Sequence, residues 1–242
     1  MPTDCLFRDD SYLKECQARV VAVTDQGGIV LDRTVFYASS GGQPGDTGTL
    51  VTDDGTQIPI ATAIFTDAAK SEIAHVPASG SPALKPGDTV TAAIDWDKRH
   101  ARMRMHTALH LLCSLVPFPV TGGQIGAEEG RLDFDIEDAS AVDKDRLTDE
   151  LNRLIGADHP VSERWISDAE LEANPGLVRT MSVKPPMGTG RIRLVLIGEG
   201  GRIDMQPCGG THVRSTGEIG AVAVSKIEKK GKINRRIRVA LA

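Results

Sequence analysis

As far as about residue 94, the chain is a succession of short apolar alternations separated by turn residues. Residues 19–24 and 29–37 are rich in Val, Ile and Phe and flank Asp25-Gln26-Gly27-Gly28, a hairpin signal. Residues 47–52 and 57–65 flank Asp53-Asp54-Gly55 in the same way. Lys85-Pro86-Gly87-Asp88 turns the chain into residues 89–95, where Val90, Ala92 and Ile94 share one face. Short strands at this spacing predict a small β-barrel or sandwich over residues 1–95.

The period then changes. Asp95-Trp96-Asp97 offers an N-cap, and residues 98–116 predict a helix that Pro117 ends. Its apolar positions Ala101, Met105, Ala108, Leu109, Leu112 and Val116 form a stripe, with His106 and His110 on one edge where they can face a cleft. Residues 120–130 read as strand and turn, 131–136 as a strand, and 143–156 as an amphipathic helix. A strand at 160–166 is followed by the capping box Ser167-x-x-Glu170 and a short helix to Ala173. Residues 181–190 predict an irregular loop, and 191–197 and 202–205 two strands. A terminal hairpin pairs 220–227 with 233–241, placing Ile237, Val239 and Leu241 on one face and Arg236 and Arg238 on the other. The fold class is therefore α+β: a small N-terminal β-barrel over 1–95, then an α+β domain over 96–242.

Composition narrows the function classes. With 242 residues, 40% hydrophobic and 25% charged, the chain can bury a sizeable core. No apolar run approaches membrane-spanning length, no signal peptide is indicated, and four cysteines without a framework suit a reducing compartment, so a cytoplasmic protein is expected. The net charge of −5 argues against indiscriminate nucleic-acid binding. Yet residues 226–238 hold Lys226, Lys229, Lys230, Lys232, Arg235, Arg236 and Arg238 against the single acid Glu228. Lys98, Arg99, Arg102 and Arg104 form a second basic cluster at the start of the helix. Two such runs adjoining the same candidate site point toward a phosphate-rich substrate.

That site is drawn from two distant stretches. His106 and His110 stand at i and i+4 on one helical face. In Asp204-Met205-Gln206-Pro207-Cys208-Gly209-Gly210-Thr211-His212, a glycine pair lets Cys208 and His212 turn toward one point. Three imidazoles and a thiolate are the donors zinc prefers in tetrahedral geometry, so His106, His110, Cys208 and His212 form the candidate metal set. Either motif alone is open to a purely structural reading. Thr107 occupies the place where the zinc-protease helix carries its glutamate base, which excludes that pattern. Four protein ligands normally close a site, so a catalytic zinc here requires a loosely held ligand or a fifth position.

The same residues resemble a known family. His-x-x-x-His followed by Cys-x-x-x-His, the wording of residues 205–213, the segment 225–236 and the glycine-rich segment 36–48 are similar to the editing domain of alanyl-tRNA synthetases and to the longer free-standing alanyl-tRNA editing (AlaX) proteins. The resemblance implies that 96–242 is a zinc-dependent editing-like domain. It also implies an aminoacyl-tRNA ester hydrolase acting on tRNA(Ala) mischarged with serine, and with glycine as a second ester. A pocket built for alanine rejects an added hydroxyl only about a hundredfold, which is why a second site is needed. On this reading His106 and His110 serve catalysis, and Gln124, in the loop after the metal helix, reads the serine hydroxyl, with Thr107 and Thr211 as lesser candidates. Arg235 and Arg236 would meet phosphates. The residues Gly41-Gly42-Gln43 alone read as a tight loop needing flexible backbone, and the resemblance adds a role in tRNA handling, not catalysis. Two alternatives stay open: a non-catalytic RNA-binding protein with a structural zinc, and editing of threonyl-tRNA. The oligomeric state is not legible.

Overall fold

The computed structural model describes residues 2–138, 141–179, 190–231 and 233–242. The loop expected at 181–190, apart from Gly190, and Lys232 of the basic run lie outside them. The chain divides into two compact units, Met1–His100 and Ala101–Ala242, and each sheet draws its strands from one unit.

The first unit contains β1 (Asp4–Cys5), β2 (Glu15–Val23), β3 (Ile29–Leu31), β4 (Arg33–Thr34), β5 (Gly48–Thr52), β6 (Gln57–Phe65), β7 (Ile73–Pro77) and β8 (Thr89–Ile94). Six of these close a barrel in the order β2-β3-β7-β6-β5-β8, every neighbouring pair antiparallel. In β8 the inward positions are Val90, Ala92 and Ile94, as the alternation requires. In β6 a register shift between Ile60 and Thr62 moves the buried set from Ile58 and Ile60 to Ala63. β7 was not expected from the sequence, and the single run at 29–37 is two short strands, β3 and β4.

The glycine-rich segment is explained by this unit's own geometry. Gly41 and Gly42 have φ of 58° and 83° and are the central residues of a turn in which Ser40 and Gln43 exchange backbone hydrogen bonds of 3.1 and 2.9 Å. Two consecutive positive-φ residues make this the primed turn that glycine favours. The Gln43 side chain is buried. A few residues on, the carboxylate of Asp46 accepts from the Tyr37 amide at 2.7 Å and from Arg99. Arg99 is fully buried and also donates to the carbonyls of Ser11 (3.0 Å) and Val35 (2.6 Å). Arg99 thus ties the loop to the helix start; it is not the solvent-facing cation expected from the charge run.

The second unit holds α1 (Trp96–Leu115) from Ala101 on, β9 (Val120–Ile125), β10 (Glu129–Asp135), α2 (Lys144–Gly156), β11 (Val161–Ile166), α3 (Asp168–Ala173), β12 (Ile192–Ile197), β13 (Asp204–Pro207), β14 (Val222–Lys229) and β15 (Asn234–Leu241). One sheet runs β14-β15-β10-β9 and the other β11-β12-β13, all antiparallel. Asp143 caps α2 by accepting from the Arg146 amide, and Ser167 and Glu170 form the expected capping box. The single apolar stripe expected on α1 is not what forms. Every residue from Met105 to Cys113 is buried, so the middle of the helix is enclosed on all sides. Gly130 permits its close approach to β10: a Cβ there would lie 2.7 Å from the Met105 sulfur. Among the described residues no helix is long and apolar enough to cross a membrane.

Candidate metal centre

The candidate donors of His106, His110, Cys208 and His212 all lie within 4.8 Å of one another. α1 supplies the first two one turn apart, with ring centroids separated by 5.2 Å. β13 supplies the approach to the others, because Asp204, Gln206 and Cys208 alternate along one face of an extended chain. The Cys208 sulfur stands 3.5 Å from His106 Nε2 and 3.3 Å from His212 Nε2. Cys208 is half-buried and the three histidines are buried.

The surrounding hydrogen bonds fix which nitrogen each ring turns inward. His110 donates from Nδ1 to the Asp204 carboxylate at 2.8 Å, leaving Nε2 as the atom that can meet Cys208. Gln206 donates to the same carboxylate oxygen at 2.9 Å. Thr107 donates to the Met103 carbonyl at 3.0 Å, so its oxygen is the acceptor for His212 Nδ1 at 3.1 Å and for the Val213 amide at 3.3 Å. Carboxylate and hydroxyl partners of this kind are what orient metal-ligating imidazoles. The ligand loop is held by Arg193, which donates to the carbonyls of Cys208 (3.0 Å) and Gly210 (2.8 Å) and is anchored by Glu163.

Electrostatics agree with a cation site. Burial alone would push the Cys208 thiol up, but the His106 and His212 imidazoles hold it well below its ordinary value. Burial also pushes His212 well down, and His106 adds to that shift. For His110 burial acts downward and is outweighed by Asp204 and Cys208, which lift it to about 10. Asp204 Oδ1 is buried with no hydrogen-bond partner among the described residues. A thiolate and a carboxylate packed among imidazoles draw positive charge, the condition under which a divalent cation displaces ligand protons. The donor set therefore fits zinc.

Asp204, Gln206 and Arg193 received no role in the sequence reading. The period-two spacing of Asp204, Gln206 and Cys208 was the signal for the first two; nothing local marked Arg193. Gln124 lies on β9, not in a loop; it is exposed and accepts from Arg131 at 3.3 Å. Thr211 is buried. Gly41, Gly42 and Gln43 belong to the first unit.

The basic residues are mostly engaged. Arg236 and Arg238, expected to stand ready for phosphate, pair with acids across the sheet. Arg236 donates to both oxygens of Asp133 at 2.7 and 2.9 Å; Arg238 donates to Glu228 at 2.7 Å and Glu129 at 2.6 Å. Arg235 is buried and donates to the Glu137 carbonyl at 3.0 Å. Arg104 donates to the Ile219 carbonyl at 2.7 Å, and Lys98 pairs with Asp95 at 2.8 Å. Lys229 and Lys230 are exposed.

Comparison with known proteins places relatives along the full chain. Residues 192–238 match the family model described as the threonyl and alanyl tRNA synthetase second additional domain, and residues 9–98 match that of class II (A) tRNA synthetases. The alanyl-tRNA editing protein AlaX-M of Methanosarcina acetivorans is 38% identical, with 99% of each chain covered. AlaX-M of Saccharolobus solfataricus is 34% identical over 97% of each. An alanine–tRNA ligase of Pyrobaculum aerophilum is 34% identical over 93% of this chain, which spans 25% of that enzyme.

Proposed function

We infer the activity from one premise: the chain belongs to the alanyl-tRNA editing protein family AlaX-M. It is a trans-editing hydrolase that deacylates seryl-tRNA(Ala), and glycyl-tRNA(Ala) as a second ester, in the cytoplasm. The observation carrying this reading is the convergence of His106, His110, Cys208 and His212, with two of the rings turned inward by Asp204 and Thr107.

These four side chains would hold zinc, which supplies Lewis acidity and lowers the pKa of water to about 7. The chain's own contribution is positional. Asp204 holds His110, Gln206 holds the Asp204 carboxylate, Thr107 holds His212, and Arg193 fixes the backbone that presents Cys208. The ester of an aminoacyl-tRNA is already activated, so orientation carries much of the rate. Gln124 is the residue we assign to the serine hydroxyl. Once bound substrate covers Gln124 and shields it from solvent, an amide placed for the serine hydroxyl is left unpaired when alanine enters, which spares the correct ester. In this reading Lys229 and Lys230 grip phosphate from the exposed end of β14, while Arg235 and Arg236 shape the strand beside them.

The test is separate incubation of the zinc-loaded protein with seryl-, glycyl-, alanyl- and threonyl-tRNA. Seryl ester should be cleaved and alanyl ester largely spared; equal rates on both would defeat the editing role. His106→Ala should lose at least ~100-fold in rate, beyond the cost typical of ligand-orienting groups, while keeping its circular dichroism. Retained hydrolysis in a folded His106→Ala protein would remove His106 from the chemistry, and a zinc-loaded parent that cleaves no ester would leave an RNA-binding protein with a structural zinc.

A further inference from the structure

The sheet β11-β12-β13 has one face turned to the metal centre, since Asp204 accepts from His110 there and Gln206 donates to the same carboxylate. Antiparallel partners project to the same side, so the register decides what else shares that face. Trp165 on β11 is opposite Arg193 on β12. Arg193 in turn lies beside Cys208, whose amide donates to the Arg193 carbonyl at 3.1 Å and whose own carbonyl accepts from the Arg193 guanidinium. Trp165, Arg193 and Cys208 therefore form one row across three strands. Two strand spacings separate its ends, roughly 10 Å.

The two ends of the row differ in exposure. Arg193 is buried, whereas Trp165 is 37% exposed, the one aromatic side chain in the exposed class among the described residues. The Arg191 guanidinium lies 4.8 Å from its ring centroid. An indole ring with a cation beside it is the pairing that binds unpaired bases in single-stranded nucleic acid. A backbone separation of this order leaves room for one nucleotide to lie along the row, its ester toward Cys208 and its base toward the ring.

We propose that Trp165 is the stacking platform for the nucleobase of the 3′-terminal nucleotide whose ester is cleaved at the Cys208 centre. The proposal rests on the editing reading and adds a base subsite to it. Stacking at this position fixes the ribose while the ester lies among the ligands. Arg191 supports the ring and supplies positive charge beside the terminal phosphate.

The experiment compares the zinc-loaded parent, Trp165→Ala and Trp165→Phe on a seryl-charged acceptor-stem minihelix. A second minihelix has a terminal ribose that carries hydrogen in place of its base. On the intact substrate Trp165→Ala should lose about tenfold or more in kcat/KM, mainly through KM, and Trp165→Phe should keep most of it. On the base-less substrate the parent should fall to the level of Trp165→Ala, and the substitution should cost nothing further. Parental kinetics for Trp165→Ala, or an equal Trp165→Ala loss on both substrates, would overturn the proposal. If the parent cleaves no ester, the editing reading fails separately. Stacking is then read in Trp96→Phe, where Trp165 is the sole tryptophan. Fluorescence quenching by the uncharged minihelix that requires its terminal base supports the platform; quenching indifferent to that base, or none, overturns it.

Discussion

In the barrel unit, His75 spends both ring nitrogens on the protein: Nδ1 donates to the Ile29 carbonyl at 2.9 Å and Nε2 accepts from the Thr34 hydroxyl at 2.7 Å. In the other unit, His110 and His212 each spend Nδ1 on Asp204 or Thr107 and turn Nε2 toward Cys208. Burial and residue type are alike, yet the first arrangement is closed and the second converges on a point. The same contrast holds for charge. Arg99 and Asp46 neutralise each other inside the first unit, whereas the Asp204 carboxylate accepts from His110, whose other nitrogen stays turned toward the converging donors. Buried histidines therefore mark a site by where their remaining nitrogens meet, not by their number.

The sharpest way to break this comparison is to remove a partner from the closed cluster. Asp46→Ala leaves Arg99 charged and buried, at a cost of about 3–5 kcal/mol in stability. Urea unfolding should show that loss while zinc per folded chain stays at the parental value. A fall in zinc content would mean that the two clusters are not separable.

A pH series probes the same unit. Burial depresses His75 from 6.5 to about 4. A base whose folded pKa lies below its unfolded one loses stability as pH falls through that window. The contribution should be intact above pH 6.5 and diminish down to pH 4, by about 3 kcal/mol at most. Melts at pH 7.5 and 4.5 should therefore differ less in His75→Gln than in the parent; an unchanged difference would assign the acid sensitivity elsewhere.

On the converging cluster, Asp204→Asn should reduce zinc affinity about 10- to 100-fold with little change in melting of the barrel. Competition with a chromogenic chelator measures it, and parental affinity would remove Asp204 from the site. The smallest effect concerns Arg236. A phosphate contact would reduce the salt slope of tRNA affinity by about 0.9 on loss of one duplex contact. Since Asp133 already takes both hydrogen bonds from Arg236, the slope of Arg236→Ala should change by clearly less than that. A full reduction would mean that phosphate displaces Asp133.

Local signals were read well where the cause is local. The capping box at Ser167 and Glu170, the Asp143 cap and the alternation Val90, Ala92, Ile94 involve neighbours within four residues. The convergence of His106, His110, Cys208 and His212 was legible because such donors are chemically rare and two of them are held one helical turn apart. What escaped depended on distant partners. Arg99 reads as surface charge until Asp46, on the glycine-rich loop, is seen to neutralise it. Arg236 and Arg238 read as solvent-facing because their alternation is correct, but alternation is silent about Asp133, Glu228 and Glu129 across the sheet. β7 was missed since Ile73, Ala74 and His75 are buried consecutively and a proline ends the run, so no period of two stands out.

The enclosure of α1 has a kinetic consequence. Amide hydrogens from Met105 to Cys113 sit in a helix covered on every side, so their exchange with solvent requires opening on the scale of the whole unit. Cys208 and Gly209 are the outer part of the opposite loop, half-buried and exposed, and Arg193 holds that loop through the carbonyls of Cys208 and Gly210. A cation bound at these donors would be held from one side by the enclosed helix and from the other by a loop whose outer edge meets solvent. Its exchange would then begin at Cys208, the least buried of the four donors, while the helix keeps the paired imidazoles in place.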